Sequence, residues 1–544
     1  MEKSCEHKMP FMQRCCEMNI GRVANVLMMV LAFMAAILSA GWASEGPEVT
    51  RLGMNLTGPA DWSSELPFTD VFRISRAWVS QRDGAGWGEG PELALDEYGW
   101  VRQLEPGCSA ETVLCCIDGG HYPSGIYTVY YDGNGEMTFS GAAVFREQVQ
   151  SGVIRINVDA SRGAIFLCIR KTDPDDPIRR IRVMMPGCDD EFDTDGRLNF
   201  DRLWNPAFLQ RWRGITVLRY MDWMQTNGST VSSWEQRPSL DDATWSGGIP
   251  LEVMCDLSNR LKADPWFCIP HRADDGYIRQ SAVEAKRLVA PERRIYVEYS
   301  NEVWNSQFAQ HRYAADQGVA LKLAEKAWEA AWRYTGVRSR QIFAIWYEEF
   351  GAESPKRLVR VLASQAANPY VSEQILSADD AGRFADSLAI APYMSHNIPE
   401  SDATRVAAGG LDGIFEHLTT TGLPEAIDWM KVQKEVADHW NLSLICYEAG
   451  QHLVGVTGGE NNEELTRLLH AANRDPRMGL AYTEYYRAWQ ECGGGLLCHF
   501  SSTSVWSKWG SWGIAEFMDD TPGSIPKFQA TLEWARSLGQ SIFL

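Results

Sequence analysis

The sequence contains no Cys-x-x-Cys pair, no His-x-His, no His-Glu-x-x-His and no Gly-x-Gly-x-x-Gly behind its first apolar strand. These absences argue, in turn, against a zinc ribbon, two metal-hydrolase ligand sets and a dinucleotide-binding turn. Positive charge is also in deficit: 51 Lys and Arg stand against 71 Asp and Glu, a formal net charge of −20. That balance disfavours nucleic acid or an anionic membrane surface as partner, and favours a neutral polysaccharide over an acidic one. No internal repeat and no low-complexity tract interrupts the chain. Beyond the N-terminal leader, no run is apolar enough to cross a bilayer.

The leader itself has the charged, apolar, small-residue order of a secretory signal. Lys8, Arg14 and Arg22 precede the apolar stretch from Val26 to Leu38, and Gly41 and Ala43 follow, placed for cleavage before Ser44. The expectation is a signal over 1–43, a secreted or periplasmic mature protein, and no membrane association after cleavage. Of the 13 cysteines, Cys5, Cys15 and Cys16 lie in that leader. An oxidising compartment permits disulfides among the others, yet Cys168, Cys268 and Cys446 sit inside apolar runs where free buried thiols are equally at home.

Three textures follow the leader. The segment 44–100 holds a first strand, Leu52-Gly53-Met54-Asn55, and an aromatic-rich loop. Over 101–188 short alternating runs are separated by Asp-Gly and Asn-Gly turns, as in Ile126–Tyr131, Val153–Val158 and Ile165–Ile169, which predicts an inserted antiparallel β domain. From 189 to 544 helices alternate with isolated apolar strands, the pattern of a parallel α/β sheet. The later strands are expected at Ile215–Arg219, Trp266–Ile269, Ile295–Tyr299, Leu358–Ala363, Leu388–Ala391, Leu444–Tyr447 and Leu496–Phe500. With the first strand they reach the number of a closed (β/α)8 TIM barrel, so the fold class is α/β, with a β-sandwich-like insertion after the first barrel strand.

Chemistry gathers where those strands end. Asn301-Glu302 closes the fourth strand and Glu448 closes the seventh. Read alone, Asn301-Glu302 would be a helix N-cap with an acidic first turn. With Tyr299-Ser300 before it and Val303-Trp304-Asn305 after it, and a strand feeding it, the pair is placed for function. Even-numbered residues of the fourth strand share a face, which predicts Glu298 as a buried, paired carboxylate and Glu302 as the residue reaching the cleft. The same alternation puts Glu448 on one face with Leu444 and Cys446, expected to be the inward one. Two carboxylates at strand tips are the minimum for acid/base plus nucleophilic cleavage of a glycosidic bond. Arg219, His271, Tyr393, His396 and His499 add polar groups at or near other strand tips. Of 22 tryptophans, Trp506, Trp509 and Trp512 follow the eighth strand, where indole faces could stack on sugar rings.

These motifs resemble the clan A glycoside hydrolases, retaining (β/α)8-barrel enzymes. The resemblance implies that Glu302 is the acid/base and Glu448 the nucleophile. It implies that Asn301 contacts the 2-hydroxyl of the sugar being cleaved, that Arg219 and Tyr393 flank the nucleophile, and that His271 lines the same subsite. Trp506 is then the expected floor of that subsite, with Trp509 and Trp512 as further contacts. Pro270-His271-x-Ala273-Asp274-Asp275 and the run Tyr296 to Asn305 are similar to a group of secreted bacterial proteins often labelled cellulose-binding or hypothetical.

The sequence therefore predicts a hydrolase of a β-linked poly- or oligosaccharide, with β-glucan first and xylan or mannan second. It is expected to need no metal and no cofactor, and retention calls for carboxyl groups about 5–5.5 Å apart. Two alternatives come from other classes. One is a carbohydrate-binding protein without catalysis; the other is a metal-dependent hydrolase on the same barrel, suggested by His271, His396, His452 and His499.

Overall fold

The computed structural model describes residues 48–542, so the expected signal over 1–43 lies outside the described residues. Eight strands close into a parallel barrel: β1 (Arg51–Asn55), β2 (Val217–Arg219), β3 (Asp264–Ile269), β4 (Ile295–Tyr299), β5 (Leu358–Ala363), β6 (Ser387–Ile390), β7 (Ser443–Cys446) and β8 (Leu496–His499). Closure is the pairing of β1 with β8, where Arg51 to Met54 run opposite Leu496 to His499. The eight strands foreseen from the sequence are these eight. They were legible because none of the eight has an exposed residue, so most read as short, largely apolar runs rather than as alternating ones.

Two apolar layers hold the barrel. Val217, Trp266, Cys268, Tyr296, Val361 and Ile445 belong to a compact cluster that fills the lumen. The opposite faces of the strands join a far larger cluster with the surrounding helices. Those helices begin where local chemistry allows it. Asp274, for example, accepts the Tyr277 backbone N–H at 2.7 Å and so caps Asp275–Leu288. The helices Ala309–Ala320 and Ala327–Phe350 lie between β4 and β5.

Between β1 and β2 the chain builds two four-stranded sheets, both antiparallel. One is ordered Val79–Arg82, Cys108–Leu114, Ile165–Thr172, Gly135–Gly141, and the other Arg179–Met184, Gly125–Asp132, Val153–Val158, Ala143–Gln150. The first sheet thus recruits a strand upstream of residue 101. The Asp132–Gly135 turn does not close a hairpin. It passes the chain from one sheet to the other, with Gly133 at φ 88° and its Cα facing the Pro177 carbonyl so closely that a Cβ would lie 2.1 Å from the oxygen. Buried Leu114, Val129, Ile156 and Leu167 run on into the apolar cluster of the barrel.

All ten cysteines among the described residues are free. No helix among them is long and apolar enough to cross a membrane.

Candidate active site

The site is organised by Arg219, the last residue of β2 and fully buried. An arginine so placed needs every donor satisfied, and this one reaches four side chains on three other strands or the turns after them. Its Nε and Nη2 donate to the Glu298 carboxylate of β4 at 2.9–3.1 Å. Nη1 donates to Asn55 Oδ1 of β1 at 3.0 Å and to Glu448 Oε1 beyond β7 at 2.9 Å. Nη2 also donates to Asn301 Oδ1 at 2.8 Å. Glu298 is held further by the Trp266 indole N–H at 2.8 Å, and it is the buried, paired carboxylate expected from the alternation of β4.

Glu448 takes its second hydrogen bond from the Tyr393 hydroxyl, 2.9 Å from Oε2. Burial pushes its carboxyl above the ordinary range, while the Arg219 charge and the bonds from Tyr393 and Arg219 pull it back toward ionisation. Its route to the cleft differs from the one expected. In β7 the lumen is lined by Ile445, with Tyr447 beyond it, whereas Leu444 and Cys446 face the helices. The strand ends at Cys446, and a bend over Tyr447 and Glu448, not strand alternation, aims the carboxylate at Arg219.

A comparable departure places Glu302. After β4 the backbone turns left-handed at Ser300 (φ 57°) and again at Glu302 (φ 43°), conformations that cost a non-glycine residue about 1–3 kcal/mol and persist only where neighbours impose them. Here Ser300 N–H donates to Ile269 O at 2.8 Å, and the Gln310 amide donates to Asn301 O at 2.8 Å. Glu302 then accepts hydrogen bonds from the Tyr447 hydroxyl at 3.1 Å and from Asn305 Nδ2 at 3.0 Å. Burial, together with the nearby charge of Glu448, pushes its carboxyl up to about 7. The two carboxylates therefore sit in different surroundings: one beside a guanidinium, the other among neutral donors. Such surroundings favour ionisation of the carboxyl beside the guanidinium and protonation of the one among neutral donors.

The aromatic residues sort differently from the sequence expectation. Trp506 does not floor the cleft. It is 3% exposed, its ring is flanked by the Arg474 guanidinium at 4.6 Å and the Lys527 ammonium at 4.7 Å, and its indole N–H donates to Gly513 O. Trp512 is the tryptophan beside the chemistry, edge-on to Tyr393 at 6.2 Å and against His452 at 4.8 Å. Trp509 is 63% exposed and lines the same cleft as Trp512 and Phe500.

His271 is buried against Tyr313, and among the described residues neither of its ring nitrogens has a partner. Burial, reinforced by Arg272, pushes its pKa down to about 4 and keeps it neutral. His396 stacks on His417, and His499 lies against Tyr482. Among the described residues no group of three or more His, Cys, Asp or Glu side chains is placed to hold a metal ion.

Two participants carried no role in the sequence reading: Asn55 is the polar end of β1, and Tyr447 precedes Glu448. Asp222, three residues past Arg219, was legible as a polar group just beyond the second strand. Each occupies a strand tip or the turn after it, which was the available signal. Tyr393→Phe tests the geometry directly. A hydrogen bond to a charged group is worth about 1.5–3 kcal/mol, so kcat/KM should fall roughly 10- to 100-fold. An unchanged kcat/KM would remove Tyr393 from the site.

No family model matches the chain, and no curated relative does either. Among solved structures it is similar to a 4-O-α-L-rhamnosyl-β-D-glucuronidase from Fusarium oxysporum 12S, at 13% identity and a TM-score of 0.37 over 61% of this chain and 65% of that one. A double mutant of a Cellulomonas fimi endo-β-1,4-mannanase follows at 10% and 0.32, over 59% and 62%. A family 5 glycoside hydrolase mannosidase from Rhizomucor miehei stands at 12% and 0.31, over 60% and 87%. The chain thus spans less than two thirds of the first two proteins. At these values the chemistry rests on the geometry of the site alone.

Proposed function

We propose that the protein is a secreted, retaining glycoside hydrolase acting on a β-linked polysaccharide, with β-glucan the first candidate and xylan or mannan the second. The observation that carries this reading is the pairing of Glu448 with Arg219 and Tyr393 beside a Glu302 carboxyl pushed up to about 7. Glu302 donates its proton to the glycosidic oxygen while the Glu448 carboxylate attacks the anomeric carbon, forming a glycosyl ester and freeing the leaving alcohol. Glu302, now a carboxylate, takes a proton from water. The resulting attack at the same carbon breaks the ester and returns Glu448 as a carboxylate. Asn301, fixed by Arg219 and Asn227, supports a contact to the 2-hydroxyl. Export is proposed from the leader over 1–43 and is tested by fractionating cells that express the full chain.

The decisive experiment is reducing-sugar release from a panel of β-glucans, xylans, mannans and galactans, followed by proton NMR of the first product anomer formed. Release of the β-anomer is the expected result. The α-anomer would establish inversion and displace Glu448 from the nucleophile's role. No release from any polymer, with one of them retained in a pull-down, would favour a binding protein without catalysis.

A further inference from the structure

Next to the carboxylate pair lies a cleft of about 650 Å³ that the catalytic scheme does not use. Barrel loops after β1, β2 and β8 supply most of its lining, and the inserted sheets supply Cys116 and Asp118. The inserted loop is fastened in place. Cys116 N–H donates to Asp61 O at 2.7 Å, and the His121 ring stacks on Phe517 at 3.6 Å with Nδ1 2.9 Å from Asp519. Trp62 and Trp509, both more than half exposed, line the cleft with Trp512.

The distinctive group is Asp222. It is half-buried, it lines the cleft, and among the described residues its carboxylate accepts no hydrogen bond. A half-buried carboxylate without a protein partner is costly unless something else supplies donors. It faces the β1 loop closely enough that a Cβ on Gly58 would lie 3.4 Å from its own Cβ. It also lies within electrostatic reach of Glu448, whose charge, after burial, helps push its carboxyl up to about 7 against the opposing pull of Arg219, itself paired with Glu298 and Glu448. No Lys or Arg is among the lining residues; Lys508, between two of them, lies over the Trp509 ring and donates to Asn461 at 3.1 Å.

We propose that this cleft binds uncharged sugar units next to the scissile bond, with Asp222 accepting hydrogen bonds from a pair of their hydroxyls, and that it rejects sugars bearing carboxylate or sulfate. The inference rests on the hydrolase reading for the direction of the chain, but not for the binding itself. An ionised carboxylate is acceptor-only with two oxygens, which suits neighbouring hydroxyl donors. The tryptophan faces take the apolar faces of the rings. A uronate would bring a like charge toward Asp222 and Asp118 with no cation in the wall to meet it, so discrimination comes from repulsion as well as from fit.

The test uses the Glu448→Gln protein, in which binding is separated from cleavage. Calorimetric titration at pH 8 compares cello-, manno- and galactohexaose with the C6-oxidised counterpart of whichever binds most tightly. The neutral hexamer should bind at least about 10-fold more tightly than its oxidised form. Adding Asp222→Ala should weaken neutral binding by about 10-fold, the size of a lost hydrogen bond to a charged group. Adding Asp222→Asn should shrink the neutral-over-oxidised gap to within about 3-fold. Because Asp222 makes no hydrogen bond within the fold and its carboxyl is pushed up to about 7, both variants should keep or raise the parent Tm at pH 8. Equal binding of the oxidised hexamer, no binding of any neutral one, or affinities indifferent to Asp222 would each overturn the inference. Neutral binding that depends on Asp222 in a protein whose wild type cleaves nothing would uphold it while ending the hydrolase reading. Cleavage by the wild type with no discrimination against the oxidised chain would do the reverse.

Discussion

Glu448→Ala is expected to abolish turnover, by a factor on the order of 10⁴ to 10⁶, while leaving the fold and substrate binding in place. The fold should survive because Arg219 keeps Glu298, Asn55 and Asn301 as partners when Glu448 is removed. What remains is then a guanidinium neutralised by one carboxylate, not a stranded buried charge. The variant also leaves a space on the face from which the carboxylate attacked. A small anion can enter it, so millimolar azide should restore cleavage of an aryl β-glycoside and leave an α-glycosyl azide. Protonation by Glu302 is untouched by this change, which makes the stereochemistry of the azide product a direct report of which side Glu448 occupies. A β-azide would instead assign Glu448 the role of acid/base, and hydrolysis at the wild-type rate would exclude it from the reaction.

Glu302→Gln has the second largest expected effect, and it depends on the substrate. Loss of a positioned general acid costs about 10²- to 10⁴-fold where the leaving group needs a proton, as every sugar alkoxide does. A 2,4-dinitrophenyl glycoside needs none, so its bond cleavage should be nearly unaffected. The pH profile carries the same assignment. Glu302 must be protonated to act as acid, and its carboxyl is pushed up to about 7, so wild-type kcat/KM should fall as pH rises through about 7. That alkaline limb should vanish in the Gln variant. Stability follows from linkage: the folded protein retains the Glu302 proton up to about pH 7, whereas an unfolded glutamate releases it near 4.5. This group's contribution to stability therefore declines between those values and stays low above them. A scan at pH 8 should give Glu302→Gln a higher Tm than wild type, and a lower one would refute the environment described for Glu302.

The barrel was readable in the sequence because burial on both faces leaves short apolar runs, such as Trp266–Ile269 within β3, that little else produces. The inserted sheets were half readable. Ala143–Gln150 is exposed along nearly its whole length and lacks the alternation that marks a strand, while Gly135–Gly141 alternates only at Met137 and Phe139 between framing glycines. At the site, Arg219, Asn301, Tyr393 and Glu448 converge because strand tips converge, and that much follows from topology. Where the argument depended on alternation beyond a strand's last residue it lost force. Ser300 and Glu302 change backbone region, and Glu448 is carried by a bend. Trp506 shows another limit: a tryptophan among Ser, Lys and Gly reads as exposed, yet Arg474 and Lys527 come from distant helices to cover it.

The Glu448 charge beside Glu302 has a consequence in time. In the free protein that charge adds to burial in raising the Glu302 carboxyl and favouring its proton. In the proposed reaction Glu448 becomes an ester and loses its charge, so the repulsion ends at the moment Glu302 has given its proton away. The acidity of Glu302 should therefore oscillate within each turnover, high pKa while a proton must be donated and lower pKa while one must be removed. The cycle needs no movement of either residue: a single covalent bond, made and broken nearby, resets the proton affinity of its neighbour.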